Sequence, residues 1–137
     1  MALKYNTKRV LVVDDDKNIS EMIRDALELK GYEVAVANSG EKAVQEAFEF
    51  SPDIITLDLE MPLMSGFEVL SRLKNDSRTK DITVFILSVR DDAKSLKKGH
   101  IMGAKEYVVK PFSLTALEEL IKEDLHEDSN QDDITLH

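Results

Sequence analysis

The sequence predicts an α/β fold: a doubly wound parallel sheet of five strands, (βα)5, in the order 2-1-3-4-5. Three observations carry that expectation. Short apolar runs rich in β-branched residues alternate strictly with longer stretches of helical spacing, five times over. Each run is nearly continuous, as a strand buried on both faces requires. Four of the five runs end on a polar residue, at the strand ends where open α/β sheets keep their chemistry. Right-handed crossovers leave few topologies for five such units, and the flavodoxin-like order is the small five-strand solution.

The first strand is 9–13, an apolar run that ends on three acids, Asp14, Asp15 and Asp16. Ile19, Met22, Ile23, Ala26 and Leu27 follow at helical spacing. Gly31 is the natural stop, and Asn18 with Glu21 is the expected capping box. Residues 32–37 alternate as a second strand, which ends on nothing chemical. Asn38, Ser39 and Gly40 make a turn and cap. Ala43, Val44, Ala47, Phe48 and Phe50 then form the apolar side of a second helix, ended by Ser51 and Pro52. The third run, 54–57, breaks on Asp58. Pro62 and Gly66 mark a loop, and Phe67, Val69, Leu70 and Leu73 begin a third helix. A polar loop over 75–81 leads to a fourth strand, 82–87, which ends on Ser88. Residues 91–102 read as a weakly amphipathic, lysine-rich helix (Lys94, Lys97, Lys98) closed by Gly103. Residues 107–109 form the fifth strand and end on Lys110 and Pro111. Ser113 caps a last helix that turns Leu114, Leu117, Leu120, Ile121 and Leu125 inward. The expected organisation is an N-terminal extension over 1–7, one domain over 8–126, and an acidic, disordered tail over 127–137.

In this strand order, strands 1, 3, 4 and 5 are consecutive neighbours. Their carboxyl ends bring Asp14 and Asp15, Asp58, Ser88 and Lys110 to one rim. Carboxylates crowded together raise one another's pKa or demand a cation. A hard divalent ion such as Mg²⁺ suits oxygen ligands of this kind. A carboxylate on a metal, with a hydroxyl and an ammonium beside it, is a phosphoryl-transfer constellation. Singly, each residue has an ordinary explanation. An acid after a strand is often an N-cap, Ser88 could be another cap, and a lone lysine is usually solvated. Their coincidence at four adjacent strand ends is the specific signal.

Composition bounds the alternatives. A chain of 137 residues, 42% hydrophobic and 33% charged, suits one domain with a real core. The absence of cysteine excludes a disulfide framework, a thiol nucleophile and a zinc–thiolate site, and fits a reducing compartment. No apolar run approaches the length of a membrane span and the N-terminus lacks a signal-peptide core, so the expectation is a cytoplasmic protein with no membrane partner. The net charge is −9, but residues 123–137 hold six acids and no Lys or Arg, which leaves −3 for the rest. No basic stripe interleaved with aromatics points to nucleic acid.

The residues Val12, Val13, Asp14 and Asp15, then Asp58 with Met61, Pro62 and Gly66, then Ser88, and finally the run from Tyr107 through Lys110, Pro111 and Phe112, resemble the receiver domain of two-component response regulators. The likeness is to the chemotaxis-receiver type and extends from residue 9 to about 125. It implies that Asp58 accepts a phosphoryl group from a sensor histidine kinase or a histidine phosphotransfer protein. It also implies Mg²⁺ (or Mn²⁺) bound by Asp15 and Asp58 directly, by the Glu60 backbone carbonyl, and by Asp14 through water. Lys110 would contact Asp58 and then the phosphoryl group, and a cis Lys110–Pro111 bond would aim it inward. Ser88 would bind a phosphoryl oxygen, and Tyr107 would be the switch aromatic, moving from exposed to buried. Helix 4, strand 5 and helix 5 would form the output or homodimer face, with Lys94, Lys97 and Lys98 opposite Glu118, Glu119 and Glu123. No direct nucleic-acid binding by this domain is implied, and no enzymatic turnover beyond phosphoryl acceptance and slow self-dephosphorylation.

Three positions bear on access to the site. Val89 stands where the family usually has Ala or Gly. Glu60, two residues past Asp58, and Arg90, two past Ser88, are expected to face each other as a lid-like ion pair of small energy. Two other functions are conceivable. An aspartyl-nucleophile phosphohydrolase of the haloacid-dehalogenase kind has its Asp-x-Asp motif after the first strand, whereas here Asp58 and Glu60 follow the third. A degenerate receiver used only for protein binding would lack one of the acids or the lysine, and this chain keeps them all.

Overall fold

The computed structural model describes residues 7–136, with side chains described for 7–125. The elements alternate as expected: β1 (Arg9–Val13), α1 (Lys17–Leu29), β2 (Glu33–Ala37), α2 (Gly40–Phe50), β3 (Ile54–Asp58), α3 (Gly66–Lys74), β4 (Thr83–Ser88), α4 (Ala93–Ile101), β5 (Glu106–Val109) and α5 (Leu114–Leu136). All strand pairs are parallel, in the order β2-β1-β3-β4-β5. This is the flavodoxin-like fold the alternation predicts.

Side-chain alternation along each strand divides the core in two. Val10, Val12, Ile54, Phe85 and Leu87 face α1 and α5, where Ile23, Leu27, Leu117, Ile121 and Leu125 close over them. Leu11, Val13, Ile55, Leu57, Val84 and Ile86 face the other way, toward Ala43, Ala47, Phe67, Val69, Leu70 and Leu73 of α2 and α3. The same alternation sorts the polar residues at the strand ends. Asp14 and Asp58 continue the register of the α1/α5 face, and Ser88 continues that of the other.

Several local expectations are corrected. α1 is capped by Asp16, whose carboxylate accepts from the amides of Asn18 and Ile19, so the expected Asn18 and Glu21 capping box does not form. The nearer carboxylate reaches the free amides of the first turn and starts the helix one residue before Asn18. Met22 is half exposed rather than inward. Phe48 also lies at the surface, beneath the guanidinium of Arg78 at 4.1 Å from its ring centre. α4 begins later than expected because Asp92 caps it through Ser95, and only Ser95 and Gly99 of that helix are buried. β4 includes Ser88, which makes that residue the last rung of the strand rather than the first of the loop. The backbone of α5 continues to Leu136, past the expected end near 126. Residues 1–6 of the expected extension lie outside the described residues, as do the side chains of the expected tail.

Two backbone features shape the rim. A Cβ at Gly66 would lie 2.2 Å from the carbonyl oxygen of Asp58, so only glycine lets α3 begin against the end of β3. Between them, Met64 N–H donates to the Pro62 carbonyl around Leu63, whose φ is 70°. That is a γ-turn of the uncommon positive-φ form, and it leaves the Leu63 side chain fully exposed.

Candidate functional site

Asp58 ends β3, the central strand, and is 4% exposed. Its neighbours arrive from both sides. Asp14 follows β1, which pairs with β3 up to Val13 and Leu57, and is itself buried. Lys110 follows β5 through a peptide bond to Pro111 that is cis. One oxygen from each of Asp14, Asp15 and Asp58 lies within 4.8 Å of the others, the only such acidic group among the described residues.

The charges do not balance. Lys110 Nζ donates to Asp14 Oδ2 at 2.9 Å and stands 3.6 Å from Asp58 Oδ1. The expected contact of Lys110 with Asp58 is present as an ion pair, and the lysine stands closer still to Asp14. The amide of Glu60 donates to Asp58 Oδ1 at 3.1 Å. Burial nevertheless pushes the Asp58 carboxyl up to about 6. The Glu60 amide opposes this, Asp14 adds to it, Lys110 opposes it and Asp15 adds to it. Asp14 and Asp58 share one lysine, and Asp15 makes no side-chain hydrogen bond among the described residues. The fit to a hard divalent cation is good, because the donors are all carboxylate oxygens and the buried Asp58 is penalised for its charge.

On the far side of β3, Ser88 is fully buried and its Oγ accepts from the Arg90 amide at 3.1 Å. Tyr107 of β5 is half buried, and its hydroxyl donates to the Arg90 carbonyl at 2.9 Å. Its pKa is raised first by burial, with Ser88 opposing. Gly99 of α4 packs directly on this ring, since a Cβ there would lie 3.2 Å from Tyr107 Cδ2. Arg90 thus touches both Ser88 and Tyr107 through its backbone. Its guanidinium pairs with the carboxylate of Glu60 across the mouth, the pairing expected from the spacing. Val89 projects into solvent beside them at 62% exposure.

One participant was missed. The end of β2 carries Asn38, whose amide nitrogen donates to the Asp14 carbonyl at 2.7 Å and to Ser20 Oγ at 3.1 Å. The only sequence signal for it was the expected adjacency of the first two strands, and its side chain bonds a backbone atom that no motif names.

The response regulator receiver domain family matches residues 10–122. The DNA-binding dual master transcriptional regulator RpaA of Synechocystis is 40% identical over 106 residues, which cover 77% of this chain and 44% of that protein. The phosphate regulon transcriptional regulatory protein PhoB of Pseudomonas aeruginosa is likewise 40% identical over 106 residues, covering 77% of this chain and 46% of that protein. This chain therefore spans about half the length of the curated relatives it matches. Among solved structures, the chemotaxis protein CheY4 of Vibrio cholerae superposes with a TM-score of 0.81 at 31% identity, covering 85% of this chain and 98% of that one. The response regulator DrrB of Thermotoga maritima, an OmpR/PhoB homologue, gives 0.80 at 30% identity, covering 89% of this chain and 54% of that one.

Proposed function

The chain belongs to the response regulator receiver domain family, and from that premise we propose that it accepts a phosphoryl group on Asp58 from a phosphohistidine, in a reaction that needs Mg²⁺ or Mn²⁺. The donor is a sensor histidine kinase or a histidine phosphotransfer protein. The observation that carries the reading is the frustrated charge at Asp58, a buried nucleophile pushed up to about 6 with only one lysine for three carboxylates.

The chain's own residues divide the work. The Glu60 amide holds Asp58 Oδ1, leaving Oδ2 to attack phosphorus. The P–N bond to the donor imidazole breaks and its electron pair stays on the imidazole. Lys110 is close enough to Asp58 to neutralise an equatorial phosphoryl oxygen, and the Ser88 hydroxyl can turn to bind another. Asp14, Asp15 and Asp58, with the Glu60 carbonyl, would hold the divalent cation, which when bound supplies charge neutralisation for the acids and the transferred group. As Ser88 is drawn toward the phosphoryl group, Tyr107 exchanges its bond to the Arg90 carbonyl for a more buried position. This biases the face made by α4, β5 and α5 toward an output partner or a second copy. Val89 and the Glu60–Arg90 pair restrict entry of water and donor. The reading places the protein in the cytoplasm, as a signalling module without turnover of its own. DNA binding of the kind named for RpaA falls outside this domain.

Incubation with a small phosphodonor and Mg²⁺, followed by intact mass, tests the proposal. One phosphoryl group on the wild type and none on Asp58→Asn is the expected result. An unmodified wild type, or multiple turnover of the donor, would overturn it.

A further inference from the structure

The β1–α1 turn carries two of the three carboxylates, and they are held differently. Asp14 is fixed at both oxygens: the Asp16 amide donates to Oδ1 and Lys110 to Oδ2, each at 2.9 Å. Asp15 is exposed, with no side-chain hydrogen bond among the described residues. Its backbone fixes only where the Cα–Cβ bond points, and so which rotamers reach the site. The peptide that links it to Asp14 is pinned at the Asp14 carbonyl, by the amide nitrogen of Asn38 at 2.7 Å.

Asn38 is itself oriented. A carbonyl oxygen accepts only, so the amide must turn its nitrogen toward Asp14. The same nitrogen donates to Oγ of the fully buried Ser20, which in turn donates to the Lys17 carbonyl in the first turn of α1. The β2 end is joined to the β1 end once more by the Asp14 amide and the Ala37 carbonyl at 3.1 Å. Three backbone segments, the ends of β1 and β2 and the start of α1, are thus locked around one amide group.

We infer that Asn38, seated on Ser20, is a positioning residue for cation binding: it fixes the Asp14–Asp15 peptide so that the Asp15 carboxylate points at the site shared with Asp58. The inference rests on the receiver reading above. Asn38 touches neither the acceptor nor the transferred group. Its loss should weaken the cation without changing the chemistry once the cation is in place. Residues that orient metal ligands in this way typically account for about 10-fold or more in affinity.

The test is a calorimetric titration of the full chain with Mg²⁺ alone, together with the rate of Asp58 phosphorylation by a small phosphodonor across the Mg²⁺ range. For Asn38→Ala the expected result is a Mg²⁺ Kd about 10-fold weaker, with the rate at saturating Mg²⁺ within about twofold of wild type. Ser20→Ala keeps Asn38 but removes the oxygen that orients its amide, and should weaken the Kd by about 2–5-fold, the worth of one neutral hydrogen bond. It reports on the same contact if Asn38→Ala does not fold. Wild-type affinity in the folded variants would overturn the inference and leave the receiver reading standing. A rate that falls equally at all Mg²⁺ concentrations would also overturn it, by pointing to general damage. A wild-type chain that binds no Mg²⁺ and takes no phosphoryl group would sink both.

Discussion

The two rims of the sheet are built from the same residue types and end in opposite electrostatic states. At the rim where the strands begin, Arg9, Lys74, Asp76 and Asp124 have each found a partner. Arg9 donates from its amide to Asp53, and from its side chain to Glu33 and the Phe50 carbonyl. Lys74 spans the carbonyls of Lys80 and Ile82 at 3.0 and 2.8 Å. Lys105 pairs with the buried Asp124. Asp76 is gripped by Arg78 through amide and guanidinium, which pulls its carboxyl down to about 2. At the rim where the strands end, Asp14 and Asp58 share Lys110, Asp15 has only its backbone, and the central carboxyl is pushed up to about 6. Charges pair readily at one rim, so the imbalance at the other reads as a requirement of binding a cation and an anion there.

The comparison breaks most visibly at Asp58. Its folded pKa is raised, so the stability it contributes is complete below the unfolded value of 3.8 and is lost as pH rises through about 6. At pH 7, without divalent cations, Asp58→Asn should therefore be more stable than wild type, by a margin on the order of 1–3 kcal/mol. The gap should close at pH 4. Urea unfolding at both pH values measures it, and added Mg²⁺ should stabilise the wild type preferentially. A variant less stable than wild type at pH 7 would contradict the frustration argument.

The opposite rim should answer with the opposite sign. Lys74→Met keeps the aliphatic stem that packs on Gly103 but strands two carbonyls, and should cost about 2 kcal/mol with phosphorylation unchanged. Between the rims, Thr56 lies on the Asp58 face of β3, and its hydroxyl is buried without a hydrogen-bond partner among the described residues. Thr56→Val should stabilise by about 1 kcal/mol in the same unfolding assay. The smallest effect on stability belongs to Glu60 and Arg90, which are too exposed to hold the fold. Glu60→Ala, Arg90→Ala and the double variant should keep the wild-type urea midpoint yet lose phosphoryl group several-fold faster. If autodephosphorylation is unchanged in all three, the pair does not restrict access.

Most of the frame was legible in the chain. Short apolar runs alternating with helical spacing determined the parallel sheet, because a strand covered on both faces has no polar side to show. The strand ends determined Asp14, Asp58, Ser88 and Lys110, because the alternation also fixed which ends are neighbours. Even the Glu60–Arg90 contact followed from two offsets of two residues on adjacent strands. Local competition was less legible: Asp16 rather than Asn18 caps α1, since capping is decided by which side chain reaches the free amides.

What only the tertiary structure decided is how the charges are shared. The sequence names one lysine and three acids, and the packed rim gives the lysine's closer contact to Asp14. It also joins Asn38 to a backbone carbonyl 24 residues away. Residue identity and spacing specify which groups meet at a strand end. The direction of a peptide plane and the burial of a carboxyl depend on every neighbour at once, and those exist only when the sheet and its helices have closed.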